Sequence, residues 1–350
     1  MTKQTWTAAV SALVFVLCAA VIALVPVPYV TWAPGTTHDL LGDAPDGRPA
    51  IAISGIPTHP TTGQLRMTTV EVTRVDSRLS LPEVLFSYWL PAREVLPRDA
   101  VYPPGMAAAD VTEAETQLMD SAQSSAVVAA LRAARVPVTE MPMVTSVFNS
   151  GPANGRLKPG DLVKEIDNVR TTSVQAVRDA IAARHVGEPV LFTVIREGVE
   201  TRETVTTVAS TTQPDVPAVG VRLATGYRYA PVVTFGIDPS IGGASAGLMF
   251  AIAIYEKLTS GDLVDHRVIA GTGQVDADGR VGPIGGIQEK LAAASRDGAT
   301  VFLLPTENCA DVAQAPSGMR LIAVGTLGDA LTAVETLEDS ASGSGVVGCP

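Results

Sequence analysis

Ser245 and Lys290 are the two side chains whose surroundings favour covalent chemistry. The serine lies in Ile241-Gly-Gly-Ala-Ser-Ala-Gly247, directly before Leu248-Met-Phe-Ala-Ile-Ala-Ile254, a run that is apolar on every side. A helix of that kind is buried all round. Its first N–H groups lack intrahelical partners and its dipole favours negative charge there. A nucleophile and its oxyanion donors can therefore come from one turn around Gly243, Ala244 and Ser245; the same turn equally suits a serine that only caps the helix. The lysine lies in Pro283-Ile-Gly-Gly-Ile-Gln-Glu-Lys290, where the chain turns into a second helix after Gly286. Lys290 falls within the apolar stripe of Ile287, Leu291 and Ala294, while Gln288 and Glu289 point elsewhere. A lysine so placed pairs, snorkels or loses its proton. Losing it makes a general base, and bringing its pKa from about 10.4 to about 7–8 takes about 3–5 kcal/mol of desolvation.

Composition narrows the field. Across 350 residues, 25 Lys+Arg stand against 36 Asp+Glu, a net charge of -11 that excludes a nucleic-acid grip. Hydrophobic residues make up 46% and charged residues 17%, so a packed core is expected rather than disorder. Three cysteines and four histidines are too scattered for a zinc site, and neither HExxH nor GxxxxGK[ST] occurs. No metal, cofactor or nucleotide is therefore expected. Cys309 and Cys349 pair if their part of the chain lies outside the cell, and stay thiols if it lies inside.

The stretch from Thr5 to Val25 carries no charge and is long enough to span a hydrocarbon core of about 30 Å. Lys3 precedes it and a mostly acidic region follows, so the positive-inside rule places the N-terminus in the cytoplasm and the rest outside. Trp6, Tyr29 and Trp32 suit the two interfaces. A cleaved signal peptide is the weaker reading, since no small-x-small site stands at the polar exit.

The elements that must position the two side chains come after this segment. Residues 31–110 mix strand-like alternation, as in Met67–Val75, with breakers and show no obvious chemistry. Residues 112–134 carry a helical stripe of Leu118, Met119, Ala122, Ala126, Ala130 and Leu131. Next, Leu157-Lys-Pro-Gly-Asp-Leu-Val163, a helix capped by Ser173, and strands Val190–Ile195 and Thr201–Val208 resemble a PDZ domain over about 70 residues. That resemblance implies capture of an extended peptide by strand addition. The family's carboxylate-binding loop carries glycines before its first strand, but none occurs here between Gly105 and Gly151. Binding of C-termini, of internal segments, or of nothing stays open.

Together, Gly243-Ala-Ser-Ala-Gly247 and Pro283-Ile-Gly-Gly-Ile-Gln-Glu-Lys290, with Thr272-Gly273 between them, resemble the proteolytic domain of the Lon family over about 110 residues. The resemblance implies a Ser-Lys dyad: Ser245 as nucleophile, Lys290 as base, Thr272 holding the lysine, and backbone N–H groups at Gly243 and Ala244 for the oxyanion. With the apolar segment and the PDZ-like region, the chain resembles the membrane-anchored PDZ-Lon proteins of bacteria. The implied fold class is α+β: an N-terminal transmembrane helix, a PDZ-like β-rich domain and a Lon-type α+β proteolytic domain. The expected division is a cytoplasmic tip and anchor at 1–30, an extracytoplasmic region at 31–135, the PDZ-like domain at 136–210, a linker at 211–227, the protease domain at 228–338 and a flexible tail at 339–350.

The implied function is an ATP-independent serine endopeptidase that cleaves flexible or unfolded polypeptides at the outer face of the cell membrane. Its expected partners are polypeptides recruited by the PDZ-like domain, membrane lipid and, because Lon-type domains often form rings, further copies of the chain. Two departures keep an alternative open, a membrane-tethered PDZ scaffold with an inactive protease domain. Gly242-Gly-Ala-Ser245 stands where the family has Asp-Gly-Pro-Ser, and Thr272-Gly-Gln274 where it has Thr-Gly-Glu. The motif GxSxG around Ser245 also suits an α/β-hydrolase elbow. That fold needs a histidine downstream, and only His266 follows, with too little chain for the remainder.

Overall fold

The computed structural model describes residues 3–211, 213–339 and 348–349. The chain divides into two compact units, Met1–Ala134 with Pro231–Pro350, and Arg135–Ala230.

The first unit opens with α1 (Lys3–Leu24), which buries none of its residues and is apolar enough to cross a membrane. At 1.5 Å per residue it is about 33 Å long. There follow β1 (Pro26–Val27), β2 (Tyr29–Asp39), β3 (Ile51–Ser54), β4 (Gln64–Val72), β5 (Leu79–Ser80), α2 (Leu81–Trp89), β6 (Glu94–Pro97), α3 (Arg98–Val101) and α4 (Ala108–Ala133). The stripe expected on α4 is buried at Met119, Ala122, Ala126, Ala130 and Leu131, but Leu118 is exposed.

The second unit comprises β7 (Thr139–Val147), β8 (Leu162–Ile166), β9 (Val169–Arg170), α5 (Val174–Ala182), β10 (Pro189–Arg196), β11 (Val199–Thr206), β12 (Val208–Ala209), β13 (Pro217–Ala218) and β14 (Val221–Arg228). Its sheet runs β11-β10-β8-β7-β14, with β9 paired to β8. Val144, Val163, Val177, Phe192 and Val194 are fully buried at its centre. Ser173 caps α5 as expected, its hydroxyl accepting from the Ala176 N–H at 3.1 Å. The stretch expected to link domains at 211–227 is largely strand instead. Val219 is buried in this core, and β14 pairs along the whole of β7, from Val221↔Val147 to Arg228↔Thr139. A linker has nothing to bury; this segment does.

The first unit resumes with β15 (Val232–Phe235), α6 (Gly247–Leu258), β16 (Val268–Gly271), β17 (Gln274–Val275), β18 (Val281–Gly282), α7 (Ile287–Arg296), β19 (Val301–Pro305), a 3-10 turn (Thr306–Asp311), β20 (Arg320–Val324) and α8 (Leu327–Asp339). Its main sheet runs β20-β19-β16-β4-β2-β6. The first four strands are mutually parallel, and β2 is antiparallel to both its neighbours. All five residues of β19 are buried, the mark of a parallel strand covered on both faces. Every residue from Leu248 to Ile254 on α6 is fully buried, as its unbroken apolarity requires.

Sequence alone set 31–135 apart from 228–338, whereas hydrogen bonding joins them in one sheet. Trp32, expected at a membrane interface, sits in β2, with its ring against the Gly285-Gly286 turn. The tail expected at 339–350 falls mostly outside the described residues. Within it, Cys349 forms a disulfide with Cys309, closing a separation of 40 residues, while Cys18 is a free, exposed thiol. Alkylation of the unreduced full-length protein is expected to modify one cysteine per chain, and all three after reduction. Cys349→Ser is expected to lower stability by about 2–4 kcal/mol in denaturant titration.

Candidate active site

Three elements of the first unit bring the site together: the turn before α6, the end of β16 and the first turn of α7. Ser245 is half-buried, one residue before the N-cap position, which Ala246 occupies without any side-chain cap. The serine hydroxyl is therefore not spent on capping. Thr272 follows directly after β16 and is fully buried, its N–H donating to the Leu303 carbonyl at 2.9 Å.

Lys290 reaches inward because of how α7 starts. Gly286 is the N-cap residue in the left-handed region at φ 71°, and a Cβ there would lie 2.6 Å from Val70 Cγ2. Only glycine fits that bend. The turn sends Ile287, Leu291 and Ala294 into the core around Phe302 and Leu304, and Lys290 goes with them, 3% exposed. Its Nζ donates to Thr272 Oγ1 at 3.1 Å. That hydroxyl donates in turn to the Ser245 carbonyl at 3.0 Å, which also accepts the Gly273 N–H at 2.8 Å. A short chain of hydrogen bonds thus runs from the amine to the backbone of the serine.

Burial pushes the Lys290 amine down to about 7, against the opposing pull of the neighbouring Glu289 carboxylate. Glu289 points elsewhere, as its spacing suggests, onto the wall of a neighbouring cavity with Gln288, but it is 2% exposed, and burial raises its own pKa. The apolar stripe failed to mark the buried arc because α7 is covered on two sides, with Ala293 buried as well.

Gly243, Ala244, Ser245 and Lys290 line one cavity of about 740 Å³. The Gly243 N–H already donates to the Glu115 carbonyl at 3.0 Å, so this expected oxyanion donor is occupied. The Ala244 and Ser245 N–H groups have no acceptor among the described residues. Two other wall residues were not singled out from sequence as site residues, Glu115 on α4 and Trp32 on β2. Burial raises the Glu115 carboxyl, and the Trp32 indole Nε1 is buried without a partner among the described residues. No local signal marks either one, since both come from elements remote in sequence from Ser245. His266 is exposed, donates its backbone N–H to Thr62 Oγ1 and does not line the cavity, so a histidine-dependent elbow is not assembled. Among the described residues no cluster of three or more His, Cys, Asp or Glu could hold a metal.

In this unit a half-buried serine before a buried helix and a buried amine line the same cavity. Residues 236–334 match the Lon protease (S16) C-terminal proteolytic domain, and residues 112–207 match the PDZ domain. The Lon protease of Brucella suis biovar 1 is 33% identical over 138 residues, which is 33% of this chain and 17% of that protein. The Lon protease of Heliobacterium modesticaldum is 40% identical over 78 residues, 22% of this chain and 9% of its own length. The PDZ domain of the SdrC-like protein from Listeria monocytogenes is 26% identical, covering 24% of this chain and 87% of its own, with a TM-score of 0.22. The chain spans less than a fifth of the length of these curated relatives. It carries a Lon-type proteolytic domain and a PDZ domain, and the matches support a protease of the serine kind.

Thr272 is the joint between Lys290 and Ser245, and its removal is separable from any change of shape. Thr272→Val is expected to cost about 1–3 kcal/mol of stability by leaving a buried amine unpaired, and Thr272→Ser under about 1 kcal/mol. Denaturant titration of the two variants measures both.

Proposed function

We propose that the chain is an ATP-independent serine endopeptidase working through a Ser245–Lys290 dyad. The observation that carries this is an amine only 3% exposed on the same cavity wall as a serine hydroxyl that caps nothing, with burial pushing the amine down to about 7. A neutral Lys290 retains a lone pair after donating to Thr272. As Ser245 Oγ attacks a peptide carbonyl, Lys290 takes its proton. The oxyanion forms opposite the Ala244 and Ser245 N–H groups, at the positive end of α6. Lys290 then protonates the leaving amine, and in the second half it draws a proton from the water that hydrolyses the acyl-serine.

The membrane placement rests on α1, which is apolar and uncharged from Thr5 onward, with a cytoplasmic N-terminus and the bulk of the chain on the outer side. PDZ domains bind peptides, and β14 is the end strand of its sheet, with no strand on its outer edge among the described residues. That edge supports recruitment of extended segments by strand addition. Substrates so delivered are flexible or unfolded polypeptides.

Ser245→Ala and Lys290→Met are each expected to lower hydrolysis of an unfolded polypeptide by on the order of 10³-fold or more. Equal rates in the wild type and both variants would instead identify a scaffold with an inactive domain. Activity is expected to rise with pH through about 7, as Lys290 loses its proton. The folded lysine binds fewer protons than the unfolded one between about 7 and 10.5, so stability rises with pH across that window. Below it Lys290→Met is expected to be more stable than the wild type in denaturant titration, because methionine carries no buried charge. A lysine with only a packing role would give a variant that keeps its activity.

A further inference from the structure

The outward face of α2 is unsuited to water. Its sequence is Leu81-Pro-Glu-Val-Leu-Phe-Ser-Tyr-Trp89, and Val84 and Ser87 are its buried residues. Leu85, Phe86, Tyr88 and Trp89 are 43%, 63%, 71% and 76% exposed. A serine faces the core while three aromatic rings face out. A contiguous apolar patch of this kind marks an interaction surface.

The backbone says what lies next to it. α1 ends at Leu24, and β1 begins two residues later, pairing with β5 in the register Pro26↔Ser80 and Val27↔Leu79. Ser80 is the N-cap of α2, its N–H and hydroxyl both donating to the Glu83 carboxylate, at 2.7 and 2.8 Å. The end of the apolar helix is thus tied through two paired residues to the first turn of α2, and α1 touches α2 directly. Charge agrees. On a chain of net charge -11, the nearest cations on either side of α2 are Arg78 and Arg93. Both are exposed, and neither is ion-paired among the described residues.

We infer that α2 is a second membrane contact, lying in the interface of the bilayer that α1 crosses, with Leu85, Phe86, Tyr88 and Trp89 among the acyl chains and Arg78 and Arg93 at the lipid phosphates. This rests on the reading of α1 as a membrane anchor. Tyrosine and tryptophan favour that interface because their rings are apolar and their polar tips stay wet. An interfacial helix needs an apolar face, which α2 has; its one charge is Glu83, and Arg78 and Arg93 stand just beyond its two ends.

The chain's three tryptophans make the test direct. The full-length protein is reconstituted into phosphatidylcholine vesicles containing a lipid brominated close to the headgroup, and fluorescence quenching is compared for the wild type, Trp6→Phe and Trp89→Phe. Both substitutions fall on exposed side chains, 64% and 76%, so folding is not at stake. Trp89→Phe is expected to remove about half of the quenching, with Trp6→Phe removing much of the remainder, since Trp32 sits away from lipid in a cavity wall. If Trp6→Phe lowers the quenching and Trp89→Phe leaves it unchanged, α2 faces water or another protein. The inference is then overturned while the anchor stands. If neither substitution matters, the anchor reading itself fails and the inference falls with it.

Discussion

An amine without water holds this site together. Lys290 is 3% exposed, and the one hydrogen-bonding partner of its amine among the described residues is the Thr272 hydroxyl. A drop from 10.5 to about 7 corresponds to roughly 5 kcal/mol against the charged form. That penalty arises only while Lys290 stays on the buried side of α7, whose neighbours Ile287 and Leu291 pack into the core with Phe302 and Leu304. The left-handed Gly286, the fully buried α6 and the parallel strands β16 and β19 are each required for that packing. Loosening any of them would admit water and return the lysine to a cation. The fold's rigidity is in this sense the source of the site's chemistry.

The parts of the site that could be read from sequence are those fixed by short-range spacing. Ser245 stands out because glycines precede it and an unbroken apolar run follows. Lys290 stands out because three residues separate it from Ile287 on a strongly periodic helix. The burial of Glu289 is not legible, because periodicity reports one buried stripe and α7 is buried beyond it. Glu115 and Trp32 left no trace, since their place on the cavity wall depends on α4 and β2 folding back from more than a hundred residues away. The strand β14 is not legible as a strand because its alternation is weak and its partner β7 lies far upstream.

The oxyanion donors show how tertiary contact revises a local expectation. Taken alone, the turn before α6 offers N–H groups at Gly243, Ala244 and Ser245. The Glu115 carbonyl takes the first of these, and a Cβ on Gly242 would lie 2.6 Å from Glu115 Cβ. The turn is thereby pinned to α4, so the two remaining N–H groups are held by a helix rather than left on a mobile loop. Preorganised donors of this kind lose little on reorganisation when charge develops in front of them.

The short path from α1 to the cavity sets a length scale. Trp32, on the cavity wall, is eight residues past Leu24, the last residue of α1 (32 minus 24). Fully extended, eight residues reach at most about 30 Å. The pairing of β1 with β5 shortens that path further by holding the chain beside α2. If α1 crosses a bilayer as proposed, the Trp32 wall of the cavity stands within about 30 Å of the membrane surface. A chain leaving the same bilayer in extended form needs on the order of ten residues to arrive there, whereas a folded domain close to its own membrane exit would not present a free segment of that length.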